Sequence, residues 1–295
     1  EEAVRLATAE SRLVSIDSDT IVSPHSWEAA CGSSAALVTA AKMVYEEELS
    51  TAFVATRPPG HHATAGQPMG FCLINHVAIA TRWLQENSDV NRVLIIDWDV
   101  HHGNGTESAF YDDPTVLTIS LHEDSLYPYN TGMINDTGEG KGDGFNINVP
   151  LPPGSGGGAY RSTFESIVLP ALDLFKPDMI LVANGLDAST WDPLGHMMLL
   201  SHHYRSMTQL LVEAAEIHCD GRLLIVHEGG YSAGYVPFCG IAIMEALSGE
   251  DSGVIDPFAK HESTWQNLQD NQLAAIQAAA QIGLFKLANQ LDKKA

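Results

Sequence analysis

Short apolar runs bounded by Gly, Pro, Asn and Asp alternate along this chain with longer amphipathic stretches, the pattern of a parallel sheet covered by helices on both faces. Strands are expected at 51–56, 92–98, 115–121, 145–149, 178–184 and 222–228. Helices are expected at 26–48, 72–86, 157–175, 201–218, 235–248 and 262–290, several opened by a Ser or Thr cap. The fold class this implies is α/β, with a mainly parallel sheet. Gly- and Pro-rich stretches at 57–70, 128–144, 150–158 and 229–234 follow strands instead of dividing the chain into two compositionally different halves, so they read as functional loops. In open α/β sheets, ligands bind where the chain leaves the C-terminal ends of the strands, and most polar clusters here stand at such exits.

Composition narrows the picture modestly. With 295 residues, 45% hydrophobic and 18% charged, the chain can bury one substantial core, and a single domain over 1–295 is preferred to two small ones. No apolar run reaches the ~20 residues of a membrane span and no basic-then-apolar leader opens the chain, so a cytoplasmic protein without a membrane partner is expected. Cys31, Cys72, Cys219 and Cys239 contain no Cys-x-x-Cys, which disfavours a disulfide framework or a zinc finger and suggests buried thiols. A formal charge of -22 argues against direct nucleic-acid binding and would attract cationic ligands such as lysine-bearing peptides or polyamines. Solubility alone is an equally good reason for that charge. A homo-oligomer is compatible with the sequence but not required by it.

Candidate chemistry concentrates in Asp97-Trp98-Asp99-Val100-His101-His102-Gly103-Asn104-Gly105, which directly follows the apolar run Val93-Leu94-Ile95-Ile96. In an extended strand Asp97, Asp99 and His101 would share one face. Two carboxylates that close together cost several kcal/mol to desolvate unless a cation offsets them, and a carboxylate and imidazole set suits zinc better than an all-oxygen calcium or magnesium cage. One Asp and one His would more simply be a hydrogen-bonded pair at a strand end; four such residues favour a metal. Three other strand exits carry chemistry: Arg57-Pro58-Pro59-Gly60-His61-His62, Gly185-Leu186-Asp187 and Glu228-Gly229-Gly230-Tyr231.

Between about residues 50 and 245 these motifs, together with GFCLINH, TISLH, NINVPLPPG and DPLG, stand in the order found in the zinc-dependent histone deacetylase family, which the chain resembles. The resemblance is closest to the class II branch, with its bacterial histone-deacetylase-like amidohydrolases and acetylpolyamine amidohydrolases. It implies an arginase/deacetylase-like fold and a hydrolase that removes acetyl groups from amines. Carried over residue by residue, it implies Asp99, His101 and Asp187 as zinc ligands, with a position left open. It implies His62 as general base and acid, His61 as its electrostatic companion, Asp97 and Asn104 as their respective partners, and Tyr231 as donor to the developing oxyanion. Asn104, where many class I members carry Asp, supports the class II placement. Gly70, Phe71 and Tyr127 match the walls of a narrow channel suited to an aliphatic stem. Leu194 stands where a polyamine-specific relative has a Glu gatekeeper, which disfavours polyamines. Structural potassium is also implied, at Asp97, Ser120 and backbone carbonyls including that of Leu121, with a second, backbone-only site around Phe110, Asp113, Val116 and Phe145.

Two features depart from the family pattern. Gly60-His61-His62 comes earlier than in relatives, so the expectation is a chain lacking the family's N-terminal strand, adjoining helices and first active-site loop. Asn184-Gly185-Leu186 replaces the usual Ser or Ala, Gly, aromatic sequence beside Asp187. The reading that results is a deacetylase acting on acetyl-lysine in proteins or peptides. Its rivals are an acetylpolyamine or other small-molecule amidohydrolase, a dimanganese ureohydrolase of the arginase type, and a non-catalytic acyl-lysine binding module. The single Asp-x-His run disfavours the two-metal enzyme, and the complete set of titratable residues disfavours the binder.

Overall fold

A computed structural model describes residue 5 and residues 11–293. Six strands, β3 (Thr51–Val54), β4 (Val93–Asp97), β5 (Val116–Glu123), β6 (Asn146–Leu151), β7 (Met179–Asn184) and β8 (Leu223–His227), form one parallel sheet in the order β3-β8-β7-β4-β5-β6. A small antiparallel pair, β1 (Val14–Ser15) and β2 (Ile21–Val22), precedes it. Eight helices accompany the strands among the described residues: α1 (Ser26–Tyr45), α2 (His76–Asn87), α3 (Asn104–Phe110), α4 (Gly157–Thr163), α5 (Leu169–Phe175), α6 (Ser201–His218), α7 (Val236–Ser248) and α8 (Asp270–Asp292).

The two cores follow from the strand period. Every residue of β4 is buried, as expected of a central parallel strand covered on both sides. Val93 and Ile95 pack with Leu37 and Val44 of α1 and Leu84 of α2, whereas Leu94 and Ile96 join Tyr160 of α4, Tyr204 of α6, Ile243 of α7 and Leu287 of α8. Each such aliphatic side chain contributes about 1.5–3 kcal/mol by leaving water. The strand order then sets the site. β3, β8, β7 and β4 are neighbours, so the four loops leaving their C-terminal ends emerge side by side.

Several boundaries differ from expectation. The helix expected at 72–86 begins at His76 because the Asn75 side chain accepts the Ala78 amide at 2.9 Å and caps it. The stretch at 157–175 is helical throughout but passes through a π-turn at Phe164–Val168. The last helix starts only at Asp270, after single turns at Ala259–His261 and Thr264–Gln266. The β1/β2 pair and α3 were not anticipated: two-residue strands carry no period, and Gly103 and Gly105 mask the start of α3. Cys31 is exposed, contrary to expectation, on a helix face that does not meet the core, while the other three thiols are buried.

Candidate active site and metal centre

The chain leaves β4 at Asp97 and turns at once, which corrects the expectation of an extended run to His101. Asp97 Oδ1 accepts the Asp99 amide at 3.1 Å and Asp99 Oδ1 accepts the His101 amide at 2.9 Å, so each Asp bends the backbone two residues on. The consequence is a division of labour that strict alternation would not allow. Asp99 and His101 converge with Asp187 from the β7 exit, and Asp97 turns to His61.

Asp99, His101 and Asp187 bring one ligand atom each within 4.8 Å of one another, all buried. His101 Nδ1 lies 2.9 Å from Asp99 Oδ1 and 3.2 Å from Asp187 Oδ2. The latter oxygen is buried and accepts no well-directed hydrogen bond. A Cβ on Gly185 or Gly229 would collide with the oxygens of both carboxylates, so glycine is what allows the β7 and β8 exits to approach them. Charge in the cluster is unbalanced. Burial opposes protonation of His101, yet the neighbouring Asp187 and Asp99 carboxylates push its pKa up to about 11. Burial and the charge on Asp99 push Asp187 up to about 7. Burial opposes ionisation of Asp99, but His61 and His101 hold it well below the carboxylate range. Two buried carboxylates, one with an orphaned oxygen, around an imidazole nitrogen that attracts positive charge form a donor set that fits a zinc ion.

Beside this cluster stand two imidazoles with different partners. Their ring centroids are 3.9 Å apart. His61 Nδ1 meets Asp97 Oδ2 at 2.9 Å, and although burial opposes its charge, Asp99 and Asp97 push its pKa up to about 10. His62 Nδ1 meets Asn104 Oδ1 at 2.8 Å, and burial, reinforced by the charge on His61, holds it well below the usual histidine value. The amide of Asn104 points its nitrogen at the His62 carbonyl and Met69 Sδ, both at 3.4 Å, so its oxygen faces the ring. Nδ1 of His62 therefore carries the proton and Nε2 keeps a lone pair. His102, the fourth side chain of the run, turns away to Thr131 and Glu107, at 2.9 and 3.2 Å.

The expected channel residues stand beside the two imidazoles and Tyr231. Tyr127 presents its edge to His62 and His101, with centroids 5.2 and 6.2 Å away, and Phe71 packs on Tyr231 at 5.8 Å. Gly70, at φ +55°, leaves room for His62 and for Tyr127, whose ring a Cβ there would approach to 3.0 Å. Burial and nearby carboxylates raise the pKa of Tyr231, so its hydroxyl keeps its proton. Leu194 is exposed, and Asp192 joins it to Tyr231 by accepting the amide of the first at 2.9 Å and of the second at 2.6 Å.

Three functional contacts left no signal in the sequence. Trp98 donates its indole N–H to Asn184 Oδ1 at 2.6 Å, which gives the unusual Asn184 a buried partner. Asp192 and Glu228 stand within recognisable motifs, but both act on backbone amides, which impose no residue type or spacing on the sequence. A second possible donor group, His202, His203 and Glu262, lies outside the site. His203 Nδ1 accepts the Leu200 amide at 2.9 Å, so its proton sits on Nε2, the atom that faces Glu262 at 3.9 Å, and the trio reads as a polar cluster at the start of α6.

The description "histone deacetylase domain" belongs to a family model that matches residues 1–247. A histone deacetylase-like amidohydrolase of Pseudomonas aeruginosa is 44% identical over 276 residues, covering 92% of this chain and 72% of that protein. A probable deacetylase of Archaeoglobus fulgidus is 40% identical over 257 residues, covering 86% and 71% respectively. Among solved structures, the HDA15 HD domain is similar with a TM-score of 0.85 and 32% identity, over 100% of this chain and 80% of that one.

Proposed function

Because the chain belongs to the histone deacetylase family, we propose that it is a zinc-dependent amidohydrolase that removes acetyl groups from lysine side chains of proteins or peptides and releases acetate. The observation that carries this reading is the juxtaposition of the buried Asp99, His101 and Asp187 donor set with a neutral His62 whose Nε2 is free. Asp99, His101 and Asp187 would hold the zinc ion, which polarises an amide carbonyl and lowers the pKa of a bound water to roughly 7.

The remaining steps belong to the chain's own groups. His62 Nε2 takes a proton from the water as its oxygen adds to the acetyl carbon, and returns it to the amine nitrogen as the C–N bond breaks, yielding acetate and a free amine. Asn104 holds His62 in the tautomer this needs. His61, kept protonated by Asp97, discourages His62 from charging prematurely. Tyr231 donates its hydroxyl to the developing oxyanion, a contact worth about 3 kcal/mol where comparable donors have been removed. Gly70, Phe71 and Tyr127 enclose the four-carbon stem, at about 0.8 kcal/mol per buried methylene. Leu194 gives a polyamine's distal ammonium no carboxylate to pair with, and the charge of -22 favours lysine-rich peptides over nucleic acid.

A potassium ion beside this site remains part of the reading. Asp97 and Ser120 are register partners across β4 and β5. His122 donates Nε2–H to the Gly132 carbonyl at 3.0 Å and accepts the Ser120 hydroxyl proton at 2.9 Å, which leaves the Ser120 lone pairs for a cation. Among the described residues no helix is long and apolar enough to cross a membrane. The test is acetate release from an acetyl-lysine peptide before and after chelation. Activity lost with the metal and restored by zinc is expected; chelator-resistant turnover contradicts the metal assignment.

A further inference from the structure

His61 and His62 sit on a loop without regular structure, yet the main chain of His61 is held at both ends. Its carbonyl accepts the amides of Gly105 and Thr106 at 2.9 and 3.1 Å, which fixes it to the first turn of α3. Its own amide, and that of Gly60, point in the opposite direction, to a single oxygen. Glu228 Oε2 accepts the Gly60 amide at 2.6 Å and the His61 amide at 3.1 Å. Glu228 is the first residue after β8, the sheet neighbour of β3, so the contact ties together two adjacent strand exits that lie 167 residues apart in the chain. Its own amide is bonded to the Asn184 carbonyl at 2.9 Å, so the clamp is itself anchored to β7.

We propose that Glu228 is a positioning residue whose carboxylate oxygen, acting as a backbone acceptor, sets where the His61 and His62 rings stand relative to the Asp99, His101 and Asp187 cluster. The inference rests on the functional reading above for the roles of those rings, but the clamp is a property of the fold. Glu228 touches none of the reacting groups. It is 4% exposed, and its second oxygen, Oε1, is buried without a partner, so burying this side chain is costly and an apolar residue would pack there without that penalty. An apolar residue would leave the Gly60 and His61 amides unpaired instead. Burial pushes the Glu228 carboxyl up to about 7, and both its ionised and its protonated forms keep an oxygen that can accept. The acceptor, more than the charge, is what the loop requires. Because misplacement of a catalytic group by about 1 Å can cost on the order of 100-fold in rate, loss of the clamp should show in kcat before KM.

The test compares Glu228→Met, which keeps the length and removes the acceptor, with Glu228→Gln, which keeps both. Three quantities are read on the zinc-loaded protein: hydrogen exchange of the Gly60 and His61 amides, kcat and KM on an acetyl-lysine peptide, and zinc content. Glu228→Met is expected to exchange those amides at least tenfold faster and to lose at least tenfold in kcat, with KM within about twofold and zinc retained. Glu228→Gln is expected to restore both amide protection and kcat to within about threefold of the parent. Parental exchange and kcat in Glu228→Met overturn the proposal, as does a Glu228→Gln as impaired as Glu228→Met. If Glu228→Met does not fold, Glu228→Asp decides, since it withdraws the acceptor by one methylene: faster exchange at Gly60 and His61 supports the clamp, and parental exchange overturns it. A parent that fails to turn over acetyl-lysine defeats the functional reading alone, because the exchange comparison still measures the clamp.

Discussion

The side-chain oxygen of Asn104 lies 2.8 Å from Nδ1 of His62. The adjacent imidazole of His61 faces a carboxylate at nearly the same distance, so two similar rings are separated chemically by the charge of their partners. Asn104→Asp should narrow that separation. A carboxylate favours the imidazolium form and raises the pKa of His62, so the neutral base is lost at a higher pH. The acid limb of the kcat/KM profile is expected to move up by about one unit. An unmoved limb would mean that His62 is not the group titrating in that profile.

Gly185 supplies a prediction for the proposed metal site. A Cβ at this position would meet Asp187 Oδ1 and the Asp99 backbone at 2.5 Å, and neither can yield without displacing a ligand. Gly185→Ala should therefore abolish zinc retention as thoroughly as His101→Ala or Asp187→Ala, although it removes no ligand. Metal analysis of the purified variants checks this. Near-stoichiometric zinc in any of them would contradict the ligand assignment.

Much of this site was legible because its chemistry requires particular side chains at strand exits. Residue type and order pointed to the Asp97–His102 run and to three further strand exits, the family resemblance selected Asp99, His101, Asp187, His61 and His62 among them, and the β3-β8-β7-β4 adjacency brings those exits side by side. The pairing of Asp97 with His61, found at 2.9 Å, was legible from the family resemblance but not from strand period. Strand alternation placed Asp97 beside Asp99, and the side-chain-to-backbone bonds that turn the chain after β4 cannot be read from period. Glu228 and Asp192 were illegible for a related reason, since a backbone amide accepts any partner that reaches it. The start of the last helix was misjudged because short turns at 259–266 have much the same composition as a helical first turn.

His203 links the fold to pH. Burial, with the nearby His202, lowers its pKa from 6.5 to about 4, and the neutral ring accepts the Leu200 amide. Between those two values the unfolded chain binds a proton that the folded ring refuses, so stability falls as pH drops through that window. Acidification from pH 7 to 4.5 should cost about 2 kcal/mol through this residue. In His203→Gln, which removes the titration but keeps an acceptor, that part of the loss should vanish. Urea melts of parent and variant at both pH values measure it, and equal losses would contradict the assignment.

Leu194 supplies a selectivity prediction. Leu194→Glu places a carboxylate next to the Asp192 bridge to Tyr231, where it would gain a charge-assisted hydrogen bond from a distal ammonium. The ratio of kcat/KM for acetylputrescine to that for an acetyl-lysine peptide is expected to rise by about tenfold, which corresponds to about 1.4 kcal/mol of differential transition-state binding. An unchanged ratio would place Leu194 away from the far end of the substrate.

Asp99, His101, Asp187 and His62 are together proposed to hydrolyse acetyl-lysine. The most direct measurement is kcat/KM of the zinc-loaded parent on an acetyl-lysine peptide and on acetylputrescine, with His62→Ala as control at matched zinc content. The parent is expected to prefer the peptide. His62→Ala should retain zinc and hydroxamate binding while losing at least 100-fold in kcat. A parent that prefers acetylputrescine, or a His62→Ala that stays within a few-fold of it, would contradict the account.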